Sequence, residues 1–159
     1  MKGKRYIIGV IGSGGEDPEF NRLAEEVGSV IASKGHVLVN GGLGGVMEAS
    51  ARGARKNNGL TIGILPSTDA SAANPHVEIP LPTGLGEGRN LLIIRAASGL
   101  VAVGGGFGTL SEIAFALKLK KPVAGLKTWD VSEDIMEASS PAEAVEKVIK
   151  AIEELDKTG

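Results

Sequence analysis

A chain of 159 residues has the length of one domain, and its 42% apolar and 23% charged residues suffice to bury a full core. A net charge of −2 and an aromatic content of 3% weigh against a nucleic-acid partner, which needs a basic field or base-stacking rings. The absence of cysteine excludes disulfides and thiolate metal sites and fits a cytoplasmic location, and no run approaches the roughly 20 apolar residues of a membrane span.

Behind the basic start Met1 to Arg5, Tyr6 to Ile11 is too short for a signal-peptide core and reads as a first strand, ending at Gly12-Ser13-Gly14-Gly15. Asp17-Pro18 opens a helix with Phe20, Leu23, Ala24, Val27, Val30 and Ile31 at helical spacing, and Lys34-Gly35 closes it. Val37 to Val39 is a second strand. The turn Gly41-Gly42-Leu43-Gly44-Gly45 follows, then a helix from Val46 to Lys56, stopped by Asn57-Asn58-Gly59. Leu60 to Leu65 is a third strand. Ser67 to Asn74 is small, polar and aperiodic, the composition of a lid or binding loop. Val77 to Ile79 reads as a short strand, and Pro80, Pro82, Gly84, Gly86 and Gly88 punctuate an irregular piece before a helix over Arg89 to Ala97.

Leu100 to Val103 is apolar and unbroken, as suits a strand buried on both faces. Gly104, Gly105, Gly106 and Gly108 follow at once, and Thr109 is expected to open a helix that ends near Lys120-Lys121. Val123 to Leu126 is another strand. Ser140-Pro141 starts a last helix with a stripe of Val145, Val148, Ile149, Ile152 and Leu155, fraying at Lys157 to Gly159. Strands alternating with helices over residues 1–159 predict one doubly wound α/β domain, with a mostly parallel sheet and helices on both faces. Ligands of such sheets bind beyond the carboxyl ends of the strands at a switch in strand order, so the three glycine turns should rim one crevice.

Strand, glycine turn and helix start together make an anion site, most naturally for a phosphate, because free N–H groups and the positive dipole end face one place. Thr109 and Glu112 also fit the Thr-x-x-Glu capping box, which needs no ligand, and both readings stand here. Gly-x-x-x-x-Gly-Lys-Ser/Thr is absent, the first turn lacks the third glycine of a dinucleotide fingerprint, and strand two ends in Asn40 instead of an acid. His36 and His76 are isolated, reading as loop or strand-edge residues, and they give no metal-binding spacing.

Gly104-Gly-Gly-Phe-Gly-Thr-Leu-Ser-Glu112 resembles the Pro-Gly-Gly-x-Gly-Thr-x-x-Glu signature of Lonely Guy proteins, once called lysine decarboxylases, and Gly41-Gly-Leu-Gly-Gly-Val-Met47 is similar to their Gly-Gly-x-x-Gly-x-Met turn. The resemblance implies a Rossmann-like α/β fold and a homodimer or homotetramer. Members that are enzymes release a base from a nucleoside 5′-monophosphate, with an arginine and the signature glutamate at the glycosidic bond; Arg89 and Glu112 match them by position. Val103 replaces the signature proline, and Arg89 lies in Gly-Glu-Gly-Arg-Asn. Gly-Arg-Asn together with Gly-Gly-Gly-Phe-Gly-Thr-Leu-Ser-Glu is closer to the branch containing molybdenum cofactor carrier proteins, which are similar in fold but bind a phosphorylated pterin.

The expected ligand is therefore a small phosphorylated molecule, a nucleoside monophosphate or a molybdopterin-type compound, with no cofactor required. Expected binding residues are Gly12, Ser13 and Gly14 in the first turn; Gly42, Gly44, Gly45 and Met47 in the second; Arg89 and Asn90; and Gly104, Gly105, Gly106, Phe107, Gly108, Thr109 and Glu112. Arg89 supplies a bidentate cation or is a surface arginine at a helix start. Asn90 contacts ligand or caps its helix, with capping favoured. Arg89 and Glu112 are the catalytic pair if the protein is an enzyme, with Glu112 stabilising charge at the ribose. Arg95 is the competing cation and Glu48 a first-turn acid favoured by the helix dipole. Trp129 packs at a subunit interface or covers the pocket. A partner-binding module with a relic pocket remains open beside carriage and hydrolysis.

Overall fold

The computed structural model describes residues 3–159, so Met1 and Lys2 of the basic start lie outside the described residues. Seven strands form one sheet: β1 (Ile7–Gly12), β2 (Val37–Asn40), β3 (Thr61–Leu65), β4 (Ile79–Pro82), β5 (Gly99–Val103), β6 (Val123–Leu126) and β7 (Ile135–Glu137). Their order is β4-β3-β2-β1-β5-β6-β7, and every neighbouring pair is parallel. The chain thus winds outward from β1 to β4, crosses back, and winds outward again from β5 to β7. The switch point falls between β1 and β5, where Gly12 pairs with Val103.

Five helices connect the strands: α1 (Pro18–Ser33), α2 (Val46–Lys56), α3 (Arg89–Ala96), α4 (Phe107–Lys118) and α5 (Pro141–Thr158). Alternate side chains along the central strands face opposite layers. Ile8 and Val10 of β1 and Val101 and Val103 of β5 join Val27 of α1, Ala49 of α2 and Val148 of α5 in one core. Ile11 of β1 and Leu100 and Ala102 of β5 join Ile93 of α3 and Ile113 of α4 in the other. Each fully buried Ile or Leu contributes roughly 1.5–3 kcal/mol by leaving water. On the first face α1 and α2 touch through glycines. A Cβ on Gly28 would stand 1.9 Å from the Ser50 carbonyl oxygen, and one on Gly53 would stand 1.8 Å from that of Glu25.

Several local expectations are corrected. The strand read over Val77 to Ile79 runs instead from Ile79 to Pro82, pairing Pro80 with Gly63 and Pro82 with Leu65. β4 is an edge strand, so its prolines lose no ladder bond on the solvent side. β7 was not foreseen; its three residues are too few to show a period. Strand one is displaced by one residue to Ile7–Gly12, and α4 ends at Lys118, short of Lys120. The last helix is continuous to Thr158. His36 lies in the loop just before β2, as read, and is buried there: its Nδ1 accepts the Tyr6 N–H at 3.1 Å, and its ring lies against that of Tyr6. The Ser67–Asn74 loop contains a 3-10 turn, Ala70–Ala72, and is pinned at its end: Asn74 donates its N–H to Gly42 and its Nδ2 to the Leu43 carbonyl.

Candidate functional site

A cavity of about 220 Å³ opens at the switch point, beyond the carboxyl ends of β1 and β5. All three glycine turns reach it: Gly12, Ser13 and Gly14 from the first, Gly41 and then Met47 from the second, Gly106 and Gly108 from the third. Arg89, Asn90, Thr109 and Glu112 complete the polar lining.

Three helices begin at this cavity, and each begins on glycine. Gly45, Gly88 and Gly106 are the N-cap residues of α2, α3 and α4, and no side chain caps any of the three. The first-turn N–H groups of α4 therefore have no protein acceptor of the usual kind. A Cβ at Gly106 or Gly108 would meet nothing within 4 Å, so their main chain faces open space. Gly45 is different. Its φ of 63° and a Cβ that would lie 2.4 Å from the Ser13 carbonyl oxygen make it obligatory. That carbonyl accepts the Val46 N–H at 3.0 Å, tying the second glycine turn to the first.

This geometry overturns the capping readings. α4 starts at Phe107, two residues before Thr109, so Thr109 is inside the first turn and cannot act as the N-cap of a Thr-x-x-Glu box. Asn90 does not cap α3 either; it is buried and accepts a hydrogen bond from Arg89 Nη1. Nor is Arg89 a surface arginine: only 8% of it is exposed. Its Nε donates to the Ile64 carbonyl at 2.9 Å and its Nη2 to the Gly41 carbonyl at 3.3 Å, with the Met47 sulfur 4.0 Å from Nη2. Three of its five N–H groups are thus given to oxygen acceptors and a fourth lies at the Met47 sulfur, leaving one on Nη1. Burial lowers the Arg89 pKa from its usual value, and the nearby Glu112 charge opposes that.

Glu112 is 7% exposed. Burial pushes its carboxyl up to about 8, against the opposing pull of Arg89. At neutral pH the carboxyl is mostly protonated, and so is a hydrogen-bond donor facing the cavity.

Other expected residues are placed elsewhere. Gly42, Gly44, Gly45, Gly104, Gly105 and the Phe107 side chain are not in the cavity lining. Gly42 gives its N–H to Asn40 Oδ1, and Gly104 gives its N–H to the Leu126 carbonyl. These glycines shape the turns. Sequence reasoning took Asn40 only as the absence of an acid and missed its role: its buried amide joins Gly42, the Met47 carbonyl and Ser50 Oγ and so fixes the second turn against α2. Its position, where a dinucleotide-binding domain would carry an acid, was the available signal. Glu87 and Ile93 also line the cavity without having been singled out.

Fold and site together define a Rossmann-like, doubly wound α/β domain with a crevice at the switch point of its sheet. A model of the SLOG cluster4 family matches residues 5–155, and the chain belongs to that family. An uncharacterized protein of Archaeoglobus fulgidus is 49% identical over 148 residues, 93% of this chain and 97% of its own. The molybdenum cofactor binding protein of the phototrophic bacterium Rippkaea orientalis superposes with a TM-score of 0.87 at 40% identity, over 94% of this chain and 98% of that one. The molybdenum cofactor carrier protein of Chlamydomonas reinhardtii superposes with a TM-score of 0.84 at 35% identity, over 95% and 99%. The resemblance read from the second and third glycine turns agrees with this placement. Among the described residues, no helix is long and apolar enough to cross a membrane.

Proposed function

We propose that the protein binds a small phosphorylated ligand of the molybdopterin class in the switch-point cavity and holds it without cleaving it. The convergence of three helix starts without side-chain caps on one cavity carries this reading. Uncapped first turns offer N–H donors and a positive dipole end to an anion. The Arg89 guanidinium adds a cation, and a protonated Glu112 donates to a phosphate oxygen where a carboxylate would repel it. Similarity to two proteins named for molybdenum cofactor binding supports the ligand class.

The cavity's about 220 Å³ is below the roughly 300–1,000 Å³ of most small-molecule sites, so it fits the phosphate end, with the remainder lying across the open mouth by Gly106 and Gly108. The metal travels with the pterin as cargo. A cytoplasmic homodimer or homotetramer belongs to the same reading, with exposed Leu92 and Phe115 on α3 and α4 available for assembly.

The test is binding and turnover together. Ribose 5-phosphate and GMP should each protect the protein from heat, and AMP should be recovered intact after prolonged incubation. Adenine release that disappears in Glu112→Gln would replace carriage with hydrolysis.

A further inference from the structure

Beside the glycine turn stands an aromatic pair that the phosphate site leaves unused. Phe107, the first residue of α4, is 83% exposed, which is unusual for a ring of that size. Its ring stacks on that of Trp129, with centroids 6.0 Å apart and planes 23° from parallel. The segment after β6 is fastened so as to hold the indole there. Thr128 Oγ1 donates to the Gly104 carbonyl at 2.7 Å, and Trp129 Nε1 donates to the Gly106 carbonyl at 3.0 Å. Lys127, just before them, has a φ of 51°, a left-handed conformation that a lysine adopts at a cost, and its ammonium pairs with Glu19 of α1. Trp129 also lines a second and larger hollow of about 400 Å³, which shares no wall residue with the phosphate cavity and has Ile135 and Ala138 as apolar wall and Ser139 and Glu137 as polar wall.

Resting on the phosphate-site reading above, we infer that the Phe107–Trp129 pair and the hollow beside it form a stacking subsite for the planar nitrogen heterocycle of the same ligand. The volume falls inside the range of small-molecule sites. Aromatic rings attract a heterocycle through their faces, and rings already fixed by hydrogen bonds lose little freedom when it arrives. The Gly106 carbonyl couples the two subsites: the residue that caps α4 at the phosphate cavity also holds the indole. Glu137 and Ser139 offer acceptors to the amino and ring N–H groups of a pterin or guanine edge.

Trp129 is the sole tryptophan, so its emission reports on the subsite directly. The full chain is titrated with GMP, ribose 5-phosphate and neopterin, following both Trp129 fluorescence and thermal protection. GMP and neopterin should quench Trp129 saturably, while ribose 5-phosphate protects the protein without quenching. Phe107→Ala, whose side chain is mostly in water and so bears little on folding, should weaken GMP roughly tenfold and ribose 5-phosphate far less. Trp129→Phe, which keeps a ring but not the bond to Gly106, should fall between wild type and Trp129→Ala. Equal effects of Phe107→Ala on GMP and ribose 5-phosphate would overturn the stacking subsite and leave the phosphate site standing. Neopterin binding with quenching, but no ribose 5-phosphate binding, would overturn the phosphate site and keep the subsite. Binding of none of the three probes would overturn both.

Discussion

Helices α1 and α5 begin with a proline in the first turn and a side chain over it. Asp17 Oδ1 accepts the N–H groups of Glu19 and Phe20 at 3.0 and 3.1 Å, and Ser140 Oγ accepts that of Glu143 at 3.1 Å. Helices α2, α3 and α4 begin on Gly45, Gly88 and Gly106 with no such acceptor. Neither Asp17 nor Ser140 lines the switch-point cavity, whereas the first turns of the other three all do. The capped starts use their donors for the fold. The α4 start leaves donors available at the site, whereas the first N–H groups of α2 and α3 go to the Ser13 carbonyl and to the Gly86–Gly88 turn; glycine in place of a side-chain cap costs only about a few tenths of a kcal/mol.

The largest effect expected is at the acid facing those donors. The Glu112 pKa rises from 4.5 unfolded to about 8 folded, so the native state binds its proton more tightly. Stability from this group is full below pH 4.5 and declines as pH rises toward 8, by a limit of about 4–5 kcal/mol. Glu112→Gln should therefore gain on wild type progressively between pH 5 and pH 8, by several kcal/mol at the upper end, in urea midpoints measured across pH. Phosphate-ligand affinity of the wild type should also fall as pH passes 8, because the ionised carboxylate repels the anion, and Glu112→Gln should flatten that decline.

Next in size is Gly45→Ala. The left-handed φ and the approach to the Ser13 carbonyl should cost about 3 kcal/mol by equilibrium unfolding, because the neighbour is backbone and cannot swing away. Gly106→Asp sharpens the comparison most directly. Gly106 has an extended backbone that any residue adopts, and its Cβ would meet open space, so an aspartate there can cap α4. Stability should rise by about 0.5–1 kcal/mol, while affinity for ribose 5-phosphate falls at least tenfold through repulsion and loss of free donors. A variant that gains stability and keeps its affinity would break the link between missing caps and binding. Smallest are Asp17→Ala and Ser140→Ala, each expected to lose about 1 kcal/mol of stability with ligand affinity unchanged in the same titrations.

The glycine turns were legible because chain spacing states them outright: strand, glycines and helix start are contiguous, so Gly12 to Gly14, Gly41 and Gly106 to Gly108 could be brought to one rim by topology alone. The role of Thr109 and Asn90 was not. Capping depends on where a helix begins to within one residue, and Thr-x-x-Glu and Arg-Asn patterns read the same on either side of that boundary. Arg89 could be named as a cation, but not as a buried one, since its burial comes from carbonyls of Ile64 and Gly41 that are distant in sequence. Asn40 was read only as the absence of an acid, because its amide's partners, the Met47 carbonyl and Ser50 Oγ, are brought to it by the fold.

Alternation of short apolar runs with helical stripes determined by itself the doubly wound α/β architecture, the family resemblance and the set of turns from which a site is built. These rest on local periodicity and on glycine's freedom, both written in consecutive residues. Tertiary structure alone decided that all seven strands run parallel, that β4 accommodates two prolines at the sheet edge, that Glu112 is buried beside Arg89 and mostly protonated, and that Phe107 and Trp129 meet. Each of these depends on what surrounds a group in space, on dielectric and on partners far along the chain, which a residue's neighbours in sequence do not specify.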